Sequence, residues 1–148
     1  MVRKLNYHLA ILKKPYLDAI LDGRKTIESR FYQTRHKWLP QVGAGDKLFL
    51  KVSSGPVMAT ATISSVRHFD NLNVRQITEL KKQYNQQIAG DDQYWAEKIS
   101  SRFGILVWLK DVRPITPRFI TKADWRAWVV LTENEHFGLL NGSRFSIK

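Results

Sequence analysis

Alternating apolar and polar positions along the chain predict a series of short strands. By alternation or by short apolar runs, strands are expected over residues 7–13, 25–32, 47–52, 57–68, 104–112 and 128–132. The first interruption of this pattern has apolar residues at helical spacing and predicts a helix over residues 15–22. Pro15 suits its first turn, and Gly23 is expected to cap its C-terminus.

The second interruption lies between the fourth and fifth predicted strands. An apolar stripe that includes Val74, Ile77 and Leu80 follows Asn73, a residue type that favours the N-cap position. A shorter helix is expected over residues 92–101, so we predict a helical insertion at about residues 73–101. This element order indicates an α+β fold whose sheet curls into a small β-barrel with flanking helices.

The remaining segments are expected to connect these elements or to pack against them. Residues 113–117 are predicted to form a proline-containing link and residues 121–126 a short turn of helix, whereas residues 133–148 have no predicted structure. No linker is visible, so residues 1–148 are expected to form one domain. Aromatic side chains dominate core burial. Four tryptophans are therefore expected to pack in the core or against the insertion, namely Trp95, Trp108, Trp125 and Trp128.

Charge is the strongest feature of the composition. The chain has 24 lysines and arginines against 13 aspartates and glutamates, which gives a formal net charge of +11 and a pI near 10.1. A protein this basic attracts polyanions such as RNA and DNA. The absence of cysteine excludes disulfides and thiolate chemistry. Neither a signal peptide nor an apolar run long enough for a membrane span is visible, and we expect a cytoplasmic protein that makes no membrane contact.

The segment GRKTIESR combines four charged residues with the predicted end of the first helix and the start of the second strand. In a strand, successive side chains point to opposite faces. Ile27 and Phe31 then share the face expected to meet the core. Glu28 and Arg30 share the other face, which is expected to be presented, and Lys25 lies at its edge.

Each of these charged residues has a functional and a structural interpretation. Lys25 is either a phosphate anchor, general base or nucleophile, or an exposed lysine that follows a helix cap. Glu28 either accepts a hydrogen bond from a base edge or activates water, and Arg30 then clamps a phosphate or carbonyl. Alternatively, Glu28 and Arg30 form an exposed ion pair with each other, which contributes only about 0–1 kcal/mol. Both interpretations stay open.

The predicted loop over residues 33–45 places basic and aromatic side chains next to each other. Arg35, Lys37 and Trp38 resemble in type the residues that grip phosphates and stack bases in single-stranded nucleic acid. The alternative is a solvated loop whose Trp38 plugs the barrel. The sequence does not decide between them.

Metal and cofactor chemistry have no sequence signature in this chain. The four histidines do not occur at spacings typical of metal ligands, and no acidic cluster accompanies them. Neither a phosphate-binding glycine loop nor a dinucleotide fingerprint is present. We expect no metal and no cofactor.

The pattern G-x-K-x-x-E-x-R is met by Gly23, Lys25, Glu28 and Arg30, after a predicted strand and helix. The pair Gly45-Asp46 precedes the next strand, and an alternating strand rich in small residues, VMATATISSV, follows. With this element order, the chain resembles the ASCH domain, a branch of the PUA-like β-barrel superfamily. The resemblance is strongest over about residues 9–69.

The resemblance implies a barrel with a cleft beside the first helix, lined by the motif residues. Domains of this family generally bind RNA or modified nucleotides, and some are hydrolases. One branch deacylates N4-acetylcytidine with a motif lysine that corresponds to Lys25, but it has a threonine at the position of Glu28. Another branch comprises ribonucleases that use a lysine with a tyrosine and a serine, for which Tyr32 and Ser53 or Ser54 are candidates.

The favoured hypothesis is a nucleic-acid-binding protein, directed to RNA, with a cleft for one base or nucleotide at Lys25, Glu28 and Arg30. A nucleotide-like small molecule is the other ligand that such a cleft would accept. The residues expected to bind the ligand are Lys13, Arg24, Lys25, Glu28, Arg30, Arg35, Lys37 and Trp38. The alternative is a small hydrolase acting on a modified nucleoside, or a ribonuclease, with Lys25 and Glu28 as catalytic residues. A third hypothesis is an interaction domain whose charge serves only solubility.

Overall fold

A computed structural model of the chain describes residues 3–122 and 124–140, and all structural statements below concern those residues. The predicted order of strands and helices is confirmed. A short 3₁₀ turn, Leu39–Gln41, interrupts the loop between the second and third strands. The elements are β1 (Tyr7–Leu12), α1 (Lys14–Leu21), β2 (Ile27–Tyr32), β3 (Lys47–Val52), β4 (Val57–Phe69), α2 (Val74–Ile88), α3 (Asp92–Lys98), β5 (Phe103–Arg118) and β6 (Trp128–Leu131).

The described strands form one curled sheet in the order β2-β5-β4-β3-β1-β6. β1 and β3 run parallel, and all the other neighbouring strands pair in antiparallel fashion. Three register shifts interrupt the pairing of the two longest strands, β4 and β5. Such bulges increase local twist and bend a sheet. The sheet therefore curls into a half-barrel with helices beside it, which confirms the predicted α+β class.

The predicted link at residues 113–117 is wrong, because β5 continues through it to Arg118. Arg113 pairs with Thr60 and Pro114 with Ala59. Proline removes a backbone donor and is tolerated in a sheet at edges and bulges. Here it lies within the irregular part of the β4–β5 ladder, so the strand passes through it.

The short helical turn predicted at residues 121–126 is also wrong for the residues described there, since those on both sides of position 123 are not helical. Ion pairs organise this segment instead. Lys122 Nζ lies 2.7 Å from a carboxylate oxygen of Asp124, and Arg126 pairs with Asp124 at 2.7 Å and Glu135 at 2.6 Å. Trp125 is fully exposed, contrary to the packing predicted for it.

The helical insertion is confirmed, and its ends follow from capping. Asn73 and Gln76 form a reciprocal capping box at the start of α2. Ala89 ends α2 in the left-handed conformation, with φ 59°. The side chain of Asn85 then accepts from the Gly90 amide at 2.8 Å and from the Trp95 indole at 2.8 Å. These bonds connect the end of α2 to α3 and fix the angle between the two helices.

Two apolar clusters lie on either side of β2 and β5. The barrel side holds residues such as Leu50, Ile63 and Val107. The insertion side holds Ile27 and Phe31, which pack with buried residues of α2 and α3 and confirm the core face predicted for β2. Trp95 and Trp128 are buried as expected, and Trp108 is partly buried and packs against the insertion cluster.

The C-terminal tail, for which no structure was predicted, contributes to a third cluster. Leu139 and Leu140 pack there, while residues 141–148 lie outside the described part.

The Gly45-Asp46 pair forms a buried polar anchor between β1 and β3. Gly45 has φ +90°, a conformation that favours glycine. Asp46 is fully buried and accepts hydrogen bonds from Arg3 at 2.7 Å, His8 Nε2 at 2.7 Å and the amides of Asn6 and Gly43 at 3.0 Å each. These donors lower the pKa of the Asp46 carboxyl well below its usual range, although burial opposes them.

No helix among the described residues is both long and apolar enough to cross a membrane.

Asp46→Asn is expected to destabilise the protein at pH 7 by about 3 kcal/mol, because it leaves buried donors without a charged acceptor. The folded-state pKa is depressed, so the stabilisation is complete above the ordinary carboxyl pKa of 3.8 and is lost as the pH falls below it. Urea denaturation of both proteins between pH 3 and 7 tests this. A free-energy difference that does not narrow at low pH would contradict the assignment.

Candidate ligand cavity

The turn between α1 and β2 positions the charged motif. Gly23 follows the helix with φ +86°, the left-handed conformation of a C-terminal glycine. The Lys25 amide then donates to the Ala19 carbonyl at 3.0 Å, which folds the chain back under α1. As a result the Lys25 side chain enters the space between α1, β2 and the insertion.

The Lys25 ammonium has three acceptors. It donates to the carbonyls of Ile27 at 2.9 Å and Ile88 at 2.7 Å, and it lies 3.3 Å from Glu28 Oε1. Ile88 is the last residue of α2, and the neighbouring Gln87 carbonyl accepts from the Thr26 amide at 2.9 Å. Lys25 and Thr26 thus satisfy two carbonyls at the C-terminus of α2. The positive charge of Lys25 also interacts favourably with the negative end of the helix dipole there.

Arg30 connects the edge strand β2 to the opposite side of the curled sheet. Its Nε donates to Glu28 Oε2 at 2.7 Å. Its two terminal nitrogens donate to the carbonyls of Ile11 in β1, at 3.0 Å, and Ala127, next to β6, at 3.2 Å. Its guanidinium also lies over the ring of Trp128, at 5.4 Å. Arg30 therefore bridges the gap where the half-barrel is open.

Burial corrects the interpretation of the motif as a presented face. Only 3% of Lys25 and 5% of Glu28 is exposed, because the insertion covers them. Burial lowers the pKa of Lys25, and Glu28 opposes that change. Burial alone would raise the pKa of Glu28, but Arg30 and Lys25 outweigh it, and the pKa lies below its ordinary value of 4.5. Lys25, Glu28 and Arg30 form one buried ion cluster, here called the motif triad.

A cavity of about 570 Å³ lies beside the motif triad. α1 and the end of β1 form one wall, β2 forms the floor, and the end of α2 with α3 forms the other wall. Lys13, Arg24 and the triad all line it, so five of the eight predicted binding residues come together in one place. Residues that were not predicted to bind a ligand also line it, among them Tyr16, Ser29, Tyr94 and Lys98.

The added cavity residues include a buried hydroxyl pair. The Tyr94 hydroxyl lies 2.6 Å from Ser29 Oγ and donates to the Ser29 carbonyl at 3.2 Å. Burial raises the pKa of Tyr94, so its hydroxyl stays protonated at neutral pH. Tyr16 meets Tyr94 edge to face, with 6.1 Å between ring centroids. Tyr94 belongs to the insertion, and no sequence spacing connects it with the motif, which is why it was missed.

The other three predicted residues lie outside the cavity. Arg35 pairs with Asp70 at 3.2 Å and lies over the Phe103 ring at 4.9 Å. Lys37 is exposed on the loop. Trp38 stacks on Trp128 at 4.6 Å and packs against the barrel cluster, which favours the packing interpretation of this side chain.

No group of three or more histidine, cysteine, aspartate or glutamate side chains suited to a metal ion occurs in residues 3–122 and 124–140. His8 is engaged at both ring nitrogens, by Asp46 and by the Trp128 indole. The walls of the cavity carry ammonium, guanidinium, carboxylate, hydroxyl and aromatic groups.

Lys25→Met is expected to destabilise the protein by about 3–5 kcal/mol, because it leaves Glu28 buried with one cation fewer and removes the donor from two carbonyls. Adding Glu28→Gln is expected to increase that loss, since Arg30 is then buried without its carboxylate partner. Denaturation of the two single variants and the double variant measures both effects. The exposed Lys82→Met is the control, and a Lys25→Met protein as stable as this control would contradict the anchoring role.

Comparisons with known proteins agree with this architecture. The crystal structure of ASCH from Zymomonas mobilis has a TM-score of 0.67 and 15% identity, and the similarity covers 87% of this chain and 90% of that one. A serine-to-alanine variant of the same protein has a TM-score of 0.69 at 15% identity, covering 90% and 94%. These likenesses show that the chains share one fold. No curated protein sequence matches the chain. The family model of the ASCH domain matches residues 11–138, and the chain therefore belongs to the ASCH domain family.

Proposed function

We propose that this protein binds single-stranded RNA and takes one base or nucleotide into the cavity beside the motif triad. The observation that carries the proposal is the cavity itself, which has buried polar groups in its walls and Lys13 and Arg24 among its lining residues. Ligand sites in proteins usually occupy about 300–1,000 Å³ and combine apolar walls with a few placed polar groups. A volume of about 570 Å³ lies within this range.

The chemistry of the walls suits a nucleobase. Tyr16 and Tyr94 supply aromatic surface, and stacking of a base on an aromatic side chain contributes about 1–3 kcal/mol. The Tyr94 and Ser29 hydroxyls and the Glu28 carboxylate are held in fixed directions by their own hydrogen bonds. A base that enters such a cavity must first leave its stack, which favours a single-stranded or looped RNA.

The rest of the surface supplies long-range attraction. A net charge of +11 raises the local concentration of any polyanion. The PUA-like fold of the ASCH family is one associated with RNA binding. Charge attracts the polymer, and the cavity then gives the interaction a defined position on the protein.

The hydrolase hypothesis has weaker support from the contacts. A nucleophilic or basic lysine needs a free lone pair, and all three N–H groups of Lys25 point to acceptors. Glu28 has a depressed pKa and a cation on each oxygen, which makes it a weak proton acceptor. For the ribonuclease alternative, Tyr32 lines the cavity, whereas Ser53 and Ser54 lie in the β3–β4 turn and do not.

Turnover assays separate binding from hydrolysis. Incubation with N4-acetylcytidine and with single-stranded RNA, analysed by chromatography, is expected to show no product above a Lys25→Met control. Product formation by the wild-type protein that is lost in a Lys25→Met protein shown by circular dichroism to be folded would restore the hydrolase hypothesis.

Tyr16→Ala is expected to weaken binding of a short single-stranded oligoribonucleotide about tenfold, because it removes an aromatic wall of the cavity. Trp125→Ala, which removes a fully exposed tryptophan elsewhere, is the matched control and is expected to leave the affinity unchanged. Fluorescence anisotropy at fixed salt measures both. A loss of affinity in Trp125→Ala but not in Tyr16→Ala would contradict the cavity as the binding site and would indicate the loop that carries Trp125 instead.

Lys13→Gln and Arg24→Gln are each expected to make binding less sensitive to salt. Each phosphate contact that is lost reduces the slope of log K against log salt by about 0.7 for a single strand. Affinity measured between 50 and 300 mM KCl gives the slope. Lys82→Gln, which changes the charge equally outside the cavity, controls for net charge, and equal slopes for all three variants would exclude a localised phosphate path.

A further inference from the structure

Lys98 is the one cavity lysine contributed by the insertion. It is the last residue of α3, is half-buried, and lies over the Tyr94 ring with 5.6 Å between its Nζ and the ring centroid. Lys13, at the junction of β1 and α1, lines the same cavity from the opposite wall. The cavity is thus flanked by two ammonium groups that belong to different parts of the fold.

Neither ammonium has an ion-pair partner among the described residues. The other cations of the cavity are paired: Lys25 and Arg30 with Glu28, and Arg24 with Asp22. Glu97, which directly precedes Lys98 in the chain, does not pair with it, and its carboxylate accepts a hydrogen bond from Gln93 at 3.2 Å. Neither Lys13 nor Lys98 is therefore held in an ion pair, and carboxylates act on Lys98 only from a distance.

These charges also oppose one another. Burial lowers the pKa of Lys98, and the like charges of Arg30 and Lys13 lower it further, whereas Glu97 and Glu28 oppose the shift. Half-burying a lysine next to other cations costs free energy, and a stable protein is expected to avoid that arrangement unless an anion occupies the space between them.

We propose that Lys13 and Lys98 together hold a phosphate group of the nucleotide whose base occupies the cavity. This inference rests on the proposed function and extends it, because it assigns the ligand class as a nucleoside phosphate and gives the insertion a direct part in binding. Ammonium–phosphate hydrogen bonds are charge-assisted, and two of them from opposite walls would match the anion and relieve the repulsion between the lysines.

The position of the two lysines has a structural consequence. Lys13 belongs to the junction of β1 and α1, whereas Lys98 belongs to α3 of the insertion, so a shared phosphate would connect the insertion to the barrel. The Lys25 contact with the Ile88 carbonyl already joins these parts at the inner end of the cavity. The phosphate would join them at Lys13 and Lys98, and the base would lie enclosed between the two connections.

The test compares ribonucleosides with their 5′- and 3′-monophosphates and with dinucleoside monophosphates, by isothermal titration at 100 mM KCl. The wild-type protein is expected to bind at least one phosphorylated form about tenfold more tightly than the matching nucleoside. Lys98→Gln and Lys13→Gln are each expected to abolish most of this preference while leaving nucleoside affinity within about twofold. The monoester and diester arms distinguish a free nucleotide from a phosphate within an RNA chain.

Lys82→Gln is the matched control, since it removes one positive charge from the exposed face of α2 and is expected to keep the full preference. Circular dichroism verifies that each variant is folded. Equal affinity for nucleoside and nucleotide, or an equal loss in all three lysine variants, overturns the phosphate assignment but leaves base binding intact. If neither nucleosides, nucleotides nor single-stranded RNA bind, the proposed function fails together with this inference.

Discussion

The buried carboxylate of Glu28 is the interaction on which this structure depends. It lies between two cations, at 3.3 Å from Lys25 and 2.7 Å from Arg30, and each cation continues to a different part of the molecule. Lys25 reaches the last carbonyl of α2, and Arg30 reaches β1 and the residue before β6. A charge buried without partners costs several kcal/mol. The insertion, the edge strand β2 and the far side of the sheet are therefore held in one arrangement.

This arrangement links the architecture to ligand binding. The motif triad fixes the floor of the cavity, and its two cations share one carboxylate, so its remaining positive charge is held by carbonyl acceptors within the protein. Aromatic and hydroxyl groups from α1, β2 and α3 are then free to contact a base. Lys13 and Lys98, which have no ion-pair partner among the described residues, are on opposite walls, where a phosphate would accept hydrogen bonds from both. The motif triad thus stabilises the fold and also shapes the cavity. In the proposed arrangement, the aromatic and hydroxyl groups contact a base, and Lys13 and Lys98 contact a phosphate.

Local sequence patterns predicted most of the fold, because alternation and capping are short-range properties. The strands β1 to β4, the Asn73 cap and the insertion followed from spacing alone. Prolines misled the prediction for residues 113–117, since only pairing with β4 shows that a bulged ladder tolerates them. The sequence pattern located the motif but did not predict its burial, because the burial depends on an insertion some 50 residues away in the sequence. Tyr94 and Lys98 were missed for the same reason, and Trp125 was expected to be buried because its residue type usually is.

The central claim is that a base enters the cavity beside the motif triad. Photocrosslinking with a single-stranded oligoribonucleotide that contains 4-thiouridine, followed by mass spectrometry of the digested complex, tests it most directly. Crosslinks are expected to peptides that contain Tyr16 or Tyr94, and excess unmodified RNA is expected to abolish them. Crosslinks confined to the loop around Trp38 or to the segment around Trp125 would contradict it.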